Sequence, residues 1–269
     1  PADVLAILSR SDQTIRRLSW RLDGGASYRQ VSSVGAEWLG SGAREARHMN
    51  PPPAIFCIGR NYAAHAAEMQ SAPPERPTVF MKNPASVIGP QDDIVIPPIC
   101  HEHGPQVDFE GELAAIIGRD AKDVLEHEAI DFVSGWAVAN DVSARWWQKK
   151  GSGGQWIRGK SFDTFCPMSP AVSAADIQDP QALVITTTVS GEVMQEGSTA
   201  DMIFSVAGLI AELSRGLTLQ AGTVILTGTP SGVGAARTPP RFLEDGDIVE
   251  IAIEGIGALR NTVRDPHAG

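Results

Sequence analysis

Glu110-Gly111-Glu112 lies in the run Gln106 to Gly118, with Asp108 just ahead of it and Asp141 further on in Ala139-Asn140-Asp141-Val142. In an extended segment alternate side chains face opposite ways, so Val107, Phe109, Leu113, Ala115 and Ile117 share one face and Asp108, Glu110 and Glu112 the other. Carboxylates that close repel unless a cation or a proton lies between them. Oxygen ligands in this spacing suit a hard divalent ion, Mg²⁺ or Mn²⁺, better than zinc. The competing explanation is a solvated face of an amphipathic sheet, and the neighbouring motifs weigh against it.

Arg60-Asn61-Tyr62-Ala63-Ala64-His65-Ala66-Ala67-Glu68 places His65 and Glu68 on one helix face, within hydrogen-bonding reach. A carboxylate behind an imidazole fixes its tautomer and raises its basicity, as a water-activating base requires. Asn140 to Gln148 reads as a strand end followed by a helix on which Arg145 and Gln148 share a face. There Asp141 suits metal ligation and a helix N-cap alike. Gly154 to Ser161 matches the P-loop pattern letter for letter, but neither a buried strand before it nor a helical apolar period after it supports phosphate binding. Lys160 is then a cation near the acidic site. Leu226 to Gly234 is a strand entering a glycine-rich turn around Thr229, which exposes backbone N–H groups suited to a carboxylate; a plain tight turn is the alternative. His101 and His103 flank Glu102 without a third partner and read as loop histidines.

The elements that must position these residues are mostly strands. Ala54–Ile58, Thr78–Met81, Asp93–Ile96, Gln106–Gly118, Gly135–Val142, Thr223–Leu226, Ile248–Ile253 and Gly257–Val263 read as extended, and Leu183–Val189 with Glu192–Gln195 as a hairpin turning at Ser190-Gly191. Helices are expected over Asn61–Met69 and Ile203–Arg215. Strands outnumber helices without regular alternation, which points to a mixed, barrel-like α+β domain. Residues 1–50 read as a small appendage with a β-like piece at Arg16–Leu22, and Asn50-Pro51-Pro52-Pro53 as a stiff linker; the main domain is 51–269.

With 269 residues, 42% of them hydrophobic and 20% charged, the composition is that of a globular protein, and no apolar run approaches a membrane span. A net charge of −10 argues against nucleic acid and anionic membranes as partners, so a small anionic substrate must be drawn in by local cations. Three scattered cysteines argue against a disulfide framework. With no secretory signal pattern in Pro1 to Arg10, a reducing, cytoplasmic setting is expected.

Taken in order, the blocks Cys57-Ile58-Gly59-Arg60-Asn61-Tyr62 with His65 and Glu68, Phe80 to Pro84, Asp108 to Leu113, Asn140 to Arg145, Gly159 to Asp163 and Leu226 to Pro230 resemble the fumarylacetoacetate hydrolase family over roughly residues 51–264. Gln155-Trp156 and Gly159 to Pro167 look most like the branch called domain-containing protein 2. The resemblance implies a mixed β-roll, usually dimeric, with Glu110, Glu112 and Asp141 as ligands of one Mg²⁺ or Mn²⁺. It also implies a His65/Glu68 catalytic dyad, Lys160 in the catalytic set, and Arg145, Gln148 and Thr229 at the substrate. The implied reaction is C–C hydrolysis of an acylpyruvate or related 2-oxo or 1,3-dicarbonyl acid. Oxaloacetate decarboxylation or keto–enol tautomerisation in the same site is the rival, and a catalytically silent metal-binding protein the alternative of another class.

Overall fold

A computed structural model of the chain describes residues 8–11, 14–17 and 51–267. The chain divides into two units, Pro1–Ala46 and Arg47–Gly269. In the first, Leu8–Ser11 and Thr14–Arg17 form an antiparallel pair. Most of the β-like piece expected over Arg16–Leu22 lies outside the described residues.

The second unit is built on two open sheets. One has six strands in the order Val172–Ser173, Val133–Asn140, Gly111–Ile117, Val224–Leu226, Ile55–Gly59 and Thr78–Lys82. The other has five, in the order Glu192–Ser198, Val184–Val189, Ile248–Ile253, Gly257–Arg264 and Asp93–Val95. Each sheet is antiparallel except for one parallel pair, so the architecture is mixed α+β and neither sheet closes on itself. Helices are few and short: α1 (Ala63–Glu68), α2 (Arg145–Lys149), α3 (Ile157–Lys160) and α4 (Val206–Ser214). No helix among the described residues is long and apolar enough to cross a membrane.

The apolar patterns account for how the sheets pack. Ile248–Ile253 alternates buried and exposed residues, and its inward Val249, Ile251 and Ile253 share one core with Leu113, Ala115, Ile117 and Val138 of the six-stranded sheet. That sheet is also covered on its far face, where Ile55, Cys57, Ala114, Ala137, Ala139, Val224 and Leu226 form a second core. Its central strands therefore read as unbroken apolar runs. Glu112 shares the parity of Ala114 and faces this second, buried side, so the carboxylate face is not a solvated one.

Several expected elements are trimmed. The strand expected over Gln106–Gly118 breaks at Phe109-Glu110 into Val107–Asp108 and Gly111–Ile117. Side chains satisfy the backbone there: Phe109 N–H donates to Asp108 Oδ1 and Glu110 N–H to Asn140 Oδ1. The helix expected over Ile203–Arg215 is α4 and starts at Val206, where the Ser205 hydroxyl caps it, accepting from Gly208 N–H at 3.0 Å. The hairpin turn falls at Ser190-Gly191 as expected, both with positive φ (50° and 85°), the backbone a two-residue hairpin loop favours.

Residues 227–243 leave the six-stranded sheet as a long loop and are pinned at their end by Asp247. Its carboxylate accepts from Arg241 Nη2 at 2.6 and 2.8 Å, from the Ser190 hydroxyl at 2.7 Å and from Glu244 N–H at 2.9 Å. Burial opposes the charge of Asp247, but the Arg241 and Ser190 hydrogen bonds outweigh it and lower its pKa. A lowered folded-state pKa means stability that is present above the ordinary carboxylate value and lost as pH falls through the lowered one. Asp247→Asn should therefore cost about 1–2 kcal/mol at neutral pH. Urea denaturation of the two proteins should show that gap shrinking as pH falls below about 4; a gap constant down to pH 3 would contradict the assignment.

Candidate active site

Strand pairing explains why distant acids meet. Gly111–Ile117 and Val133–Asn140 are antiparallel neighbours in which Gly111 pairs with Asn140 and Glu112 with Ala139, so the start of one lies beside the end of the other. Glu110 just before the first strand and Asp141 just after the second thus face each other, joined by Asp141 N–H donating to Glu110 O at 2.8 Å. One carboxylate oxygen from each of Glu110, Glu112 and Asp141 lies within 4.8 Å of the others, and all three residues are buried.

Three cations are packed against these acids. Lys160 Nζ donates to Glu110 Oε2 and Asp141 Oδ2, both at 2.7 Å. Lys82 Nζ donates to Asp141 Oδ1 at 2.6 Å and to Val142 O at 3.1 Å. Arg145 donates through Nη1 to Glu110 Oε1 at 2.6 Å and through Nε to Asp108 Oδ2 at 2.8 Å. Asp108 also accepts from Gly234 N–H and Ala235 N–H, which makes it a rigid seat for the guanidinium. Every one of these side chains is at most 9% exposed, so the charges interact with little solvent screening.

The titration of the cluster follows from that arrangement. Burial alone would raise the Glu110 carboxyl, but Lys160 and Arg145, with His65 nearby, hold it well below the usual carboxylate range. Glu112 has no cation of its own; burial first, and then the charges of Asp141 and Glu110, push its carboxyl well above the ordinary value. Burial works against the Lys160 ammonium, yet Asp141 and Glu110 raise its pKa, so it is a fixed cation and not a proton acceptor at neutral pH. Three buried, hard carboxylate donors fit a divalent ion such as Mg²⁺ or Mn²⁺, and an ammonium already rests on two of them.

His65 Nδ1 and Glu68 Oε1 are 2.7 Å apart, as their spacing on α1 requires. Glu68 Oε2 accepts from Gly232 N–H at 2.8 Å, so the carboxylate that orients the imidazole is itself held. The same loop serves Glu112, whose Oε2 accepts from Gly228 N–H at 2.8 Å. Gly228 has φ +101°, and a Cβ there would come within 2.7 Å of Asn61 Cβ, so glycine is needed on both counts.

His65, Glu110, Glu112, Arg145, Gln148, Lys160 and Thr229 all line one cavity of about 80 Å³, with Ile58, Phe80 and Trp156 as its apolar wall. Glu68 stands behind His65, outside that lining. Gln148 Oε1 accepts from Arg145 Nη1 at 3.1 Å, which turns its amide NH₂ away from the arginine. The Thr229 hydroxyl donates to Gly111 O at 2.9 Å and accepts from Gln195 Nε2 at 2.7 Å, tying the loop to the strand that carries Glu112.

Two sequence expectations need correction in detail. Asp141 caps no helix; α2 begins after Ala144, without a side-chain cap, and both Asp141 oxygens are taken by lysines. A one-turn helix, Ile157–Lys160, does occur inside the P-loop-like stretch, but it follows turns and not a strand, and its lysine is spent on carboxylates. His101 pairs with Asp265 and His103 stacks on Trp146 at 3.6 Å, so the two remain loop histidines. Lys82 is the site residue that sequence reasoning passed over. Its signal was a lysine closing the otherwise apolar strand Thr78–Lys82. Cys57, Cys100 and Cys166 are free and buried, and burial with the nearby Asp141 charge raises the Cys57 thiol well above its ordinary value, which disfavours a thiolate nucleophile.

Residues 54–264 match the family model described as fumarylacetoacetate (FAA) hydrolase C-terminal. The chain belongs to the fumarylacetoacetate hydrolase family. It is 46% identical over 213 residues to a Xenopus laevis protein named oxaloacetate tautomerase fahd2, mitochondrial, covering 79% of this chain and 66% of the relative. It is 48% identical over 217 residues to oxaloacetate tautomerase YisK of Bacillus subtilis, covering 79% and 70%. The crystal structure of fumarylpyruvate hydrolase from Pseudomonas aeruginosa in complex with Mn²⁺ and pyruvate superposes with a TM-score of 0.72 at 33% identity, covering 80% of this chain and 90% of that one. The chain thus spans about two thirds of the length of these curated relatives.

The ion-pair geometry makes a direct prediction. Lys82→Met should destabilise the protein by about 3–5 kcal/mol in urea unfolding, because it removes one of the two cations that hold the buried Asp141 carboxylate and leaves its Oδ1 without a partner. Adding Asp141→Asn to that variant should restore part of the loss, whereas wild-type stability in the single variant would show that the pair is not held as buried charges.

Proposed function

We propose that this chain is a divalent-metal-dependent enzyme that moves a proton next to the keto group of a small anionic 2-oxo acid. Oxaloacetate keto–enol tautomerisation is the reaction best supported, and C–C hydrolysis of an acylpyruvate is the second reading. The observation that carries the proposal is that His65, braced by Glu68, opens onto the same small cavity as Glu110 and Glu112. Relatives named oxaloacetate tautomerase, at 46% and 48% identity, favour the first reaction; the fumarylpyruvate hydrolase, at 33%, supports the second.

In this reading Glu110, Glu112 and Asp141 would hold one Mg²⁺ or Mn²⁺, which would supply Lewis-acid stabilisation of the negative charge that develops on the substrate. With Nδ1 committed to Glu68, His65 works through Nε2, taking a proton from the carbon beside the keto group and returning one to the oxygen. In the hydrolytic reading the same nitrogen takes its proton from water. Lys160 stays protonated and directs positive charge at the substrate carboxylate, with the Gln148 amide NH₂ as a further donor and Thr229 in the cavity wall. Arg145 sets the position of Glu110 and Gln148. The chemistry is assigned to residues 51–269 of a homodimer, with residues 1–50 as an appendage and the cytoplasm as the setting, although the Xenopus laevis relative is named mitochondrial.

Two variants test the division of labour. Glu110→Ala should weaken Mn²⁺ binding by calorimetry at least about tenfold and abolish metal-dependent turnover; unchanged affinity would remove Glu110 from the ligand set. His65→Ala should keep metal affinity while slowing enol loss, followed by ultraviolet absorbance, by roughly 10²- to 10⁴-fold. Enol loss from oxaloacetate without pyruvate marks tautomerisation, pyruvate release from oxaloacetate marks decarboxylation, and acid product from acetylpyruvate marks hydrolysis. Failure of the metal-loaded protein to turn over any of these would leave the silent metal-binding alternative.

A further inference from the structure

The cations around the cavity fall into two sets. Arg145 and Lys160 are each held by two carboxylates and serve the acid cluster. Arg60 also lines the cavity but has no carboxylate partner among the described residues. Its one side-chain hydrogen bond runs from Nη2 to the Thr78 hydroxyl at 3.1 Å, and its Nε is buried with no acceptor. A buried guanidinium N–H without a partner is costly, and a chain carrying a net charge of −10 has carboxylates to spare for a purely structural arginine.

Arg60 is nonetheless held in place with care. It follows strand Ile55–Gly59 in the left-handed region at φ 59°, a conformation that costs a non-glycine residue free energy and clusters at functional sites. Its guanidinium carbon lies 5.9 Å from the centre of the Trp156 ring. Trp156 in turn packs directly on Gly59, where a side chain would collide with the ring, and lies 5.2 Å from Phe80. These aromatic rings form the apolar wall between Arg60 and the Lys160 ammonium, which sits 5.1 Å from the centre of the Phe80 ring. Lys149, exposed at the cavity rim and likewise without a carboxylate partner among the described residues, adds to the positive potential on the approach.

We infer that Arg60 is a specificity-determining residue that receives the second, distal carboxylate of a dicarboxylic 2-oxo acid, whose first carboxylate and keto group lie at the Glu110–Glu112–Asp141 cluster. Nη1, which has no partner among the described residues, and the second N–H of Nη2 offer the planar fork that matches a carboxylate, and the wall of Phe80 and Trp156 spans the short carbon chain between the two ends. The inference rests on the proposed function for the placement of the first carboxylate. It adds that a substrate with one anionic end leaves Arg60 unsatisfied and is discriminated against for that reason.

The test uses two unreactive probes that differ only at the distal end, malate and lactate, titrated calorimetrically into the Mn²⁺-loaded protein. Wild type should bind malate more tightly than lactate, and Arg60→Gln should reduce that ratio by about 10- to 100-fold, the range expected for losing hydrogen bonds to a charged group. Arg60→Lys, which keeps the charge but not the fork, should fall between the two. No preference for malate in the wild type, or an unchanged ratio in Arg60→Gln, overturns the inference. Because the probes do not react, a protein inactive on every 2-oxo acid but showing this pattern would sink the proposed reaction and leave the role of Arg60 standing.

Discussion

The structure depends on one electrostatic constraint: four carboxylates and three cations share a nearly dry space where the ends of four strands meet two short helices. Each charge would be prohibitively costly there alone, and the attraction between neighbours offsets this only when geometry is tight and remaining lone pairs are satisfied. That accounts for the density of backbone support. Asp108 takes two loop N–H groups, Glu112 takes one, and Glu110 is held through its own N–H by Asn140. The cluster carries one acid more than its cations balance, and the odd group is Glu112, which makes no ion pair among the described residues. A divalent ion beside it would turn that net charge from about −1 to about +1, which the carboxylate of an anionic substrate would then offset.

Much of this was legible in the sequence because strand parity and sequence order carry it. The alternation through Glu110, Gly111 and Glu112 places both acids on one side, and the i, i+3 spacing of His65 and Glu68 guarantees their contact once a helix forms. Asp141 was recognisable as the end of a strand, but its closeness to Glu110 is a matter of pairing register, which no local pattern encodes. Lys82 was hidden for a related reason. A terminal lysine on an apolar strand ordinarily reaches water, and only the neighbouring chain shows that this one ends on Asp141 and Val142. Asp108 was grouped with the acidic face because a continuous strand was assumed; the break at Phe109-Glu110 turns it toward Arg145 and the loop.

The solvated-face explanation of the acidic motif fails on the second core. A sheet covered on one side only would leave Glu112 and Ala114 in water, but Cys57, Cys166, Met168 and Leu226 fill that side. The site is therefore carved into the buried end of a doubly covered sheet, and its small cavity follows from that location. The apolar surroundings that make the acids costly also strengthen every interaction a bound substrate would make.

Gly228, Gly232 and Gly234 belong to a single loop, yet their amides clasp Glu112, Glu68 and Asp108. The ion-binding acid, the brace of the base and the seat of the arginine are thereby geared to one stretch of backbone. Lengthening or shortening that stretch would disturb all of them together, whereas Arg60 and Trp156, which none of these three amides holds, leave such a scaffold room to change its choice of ligand while its chemistry stays in register.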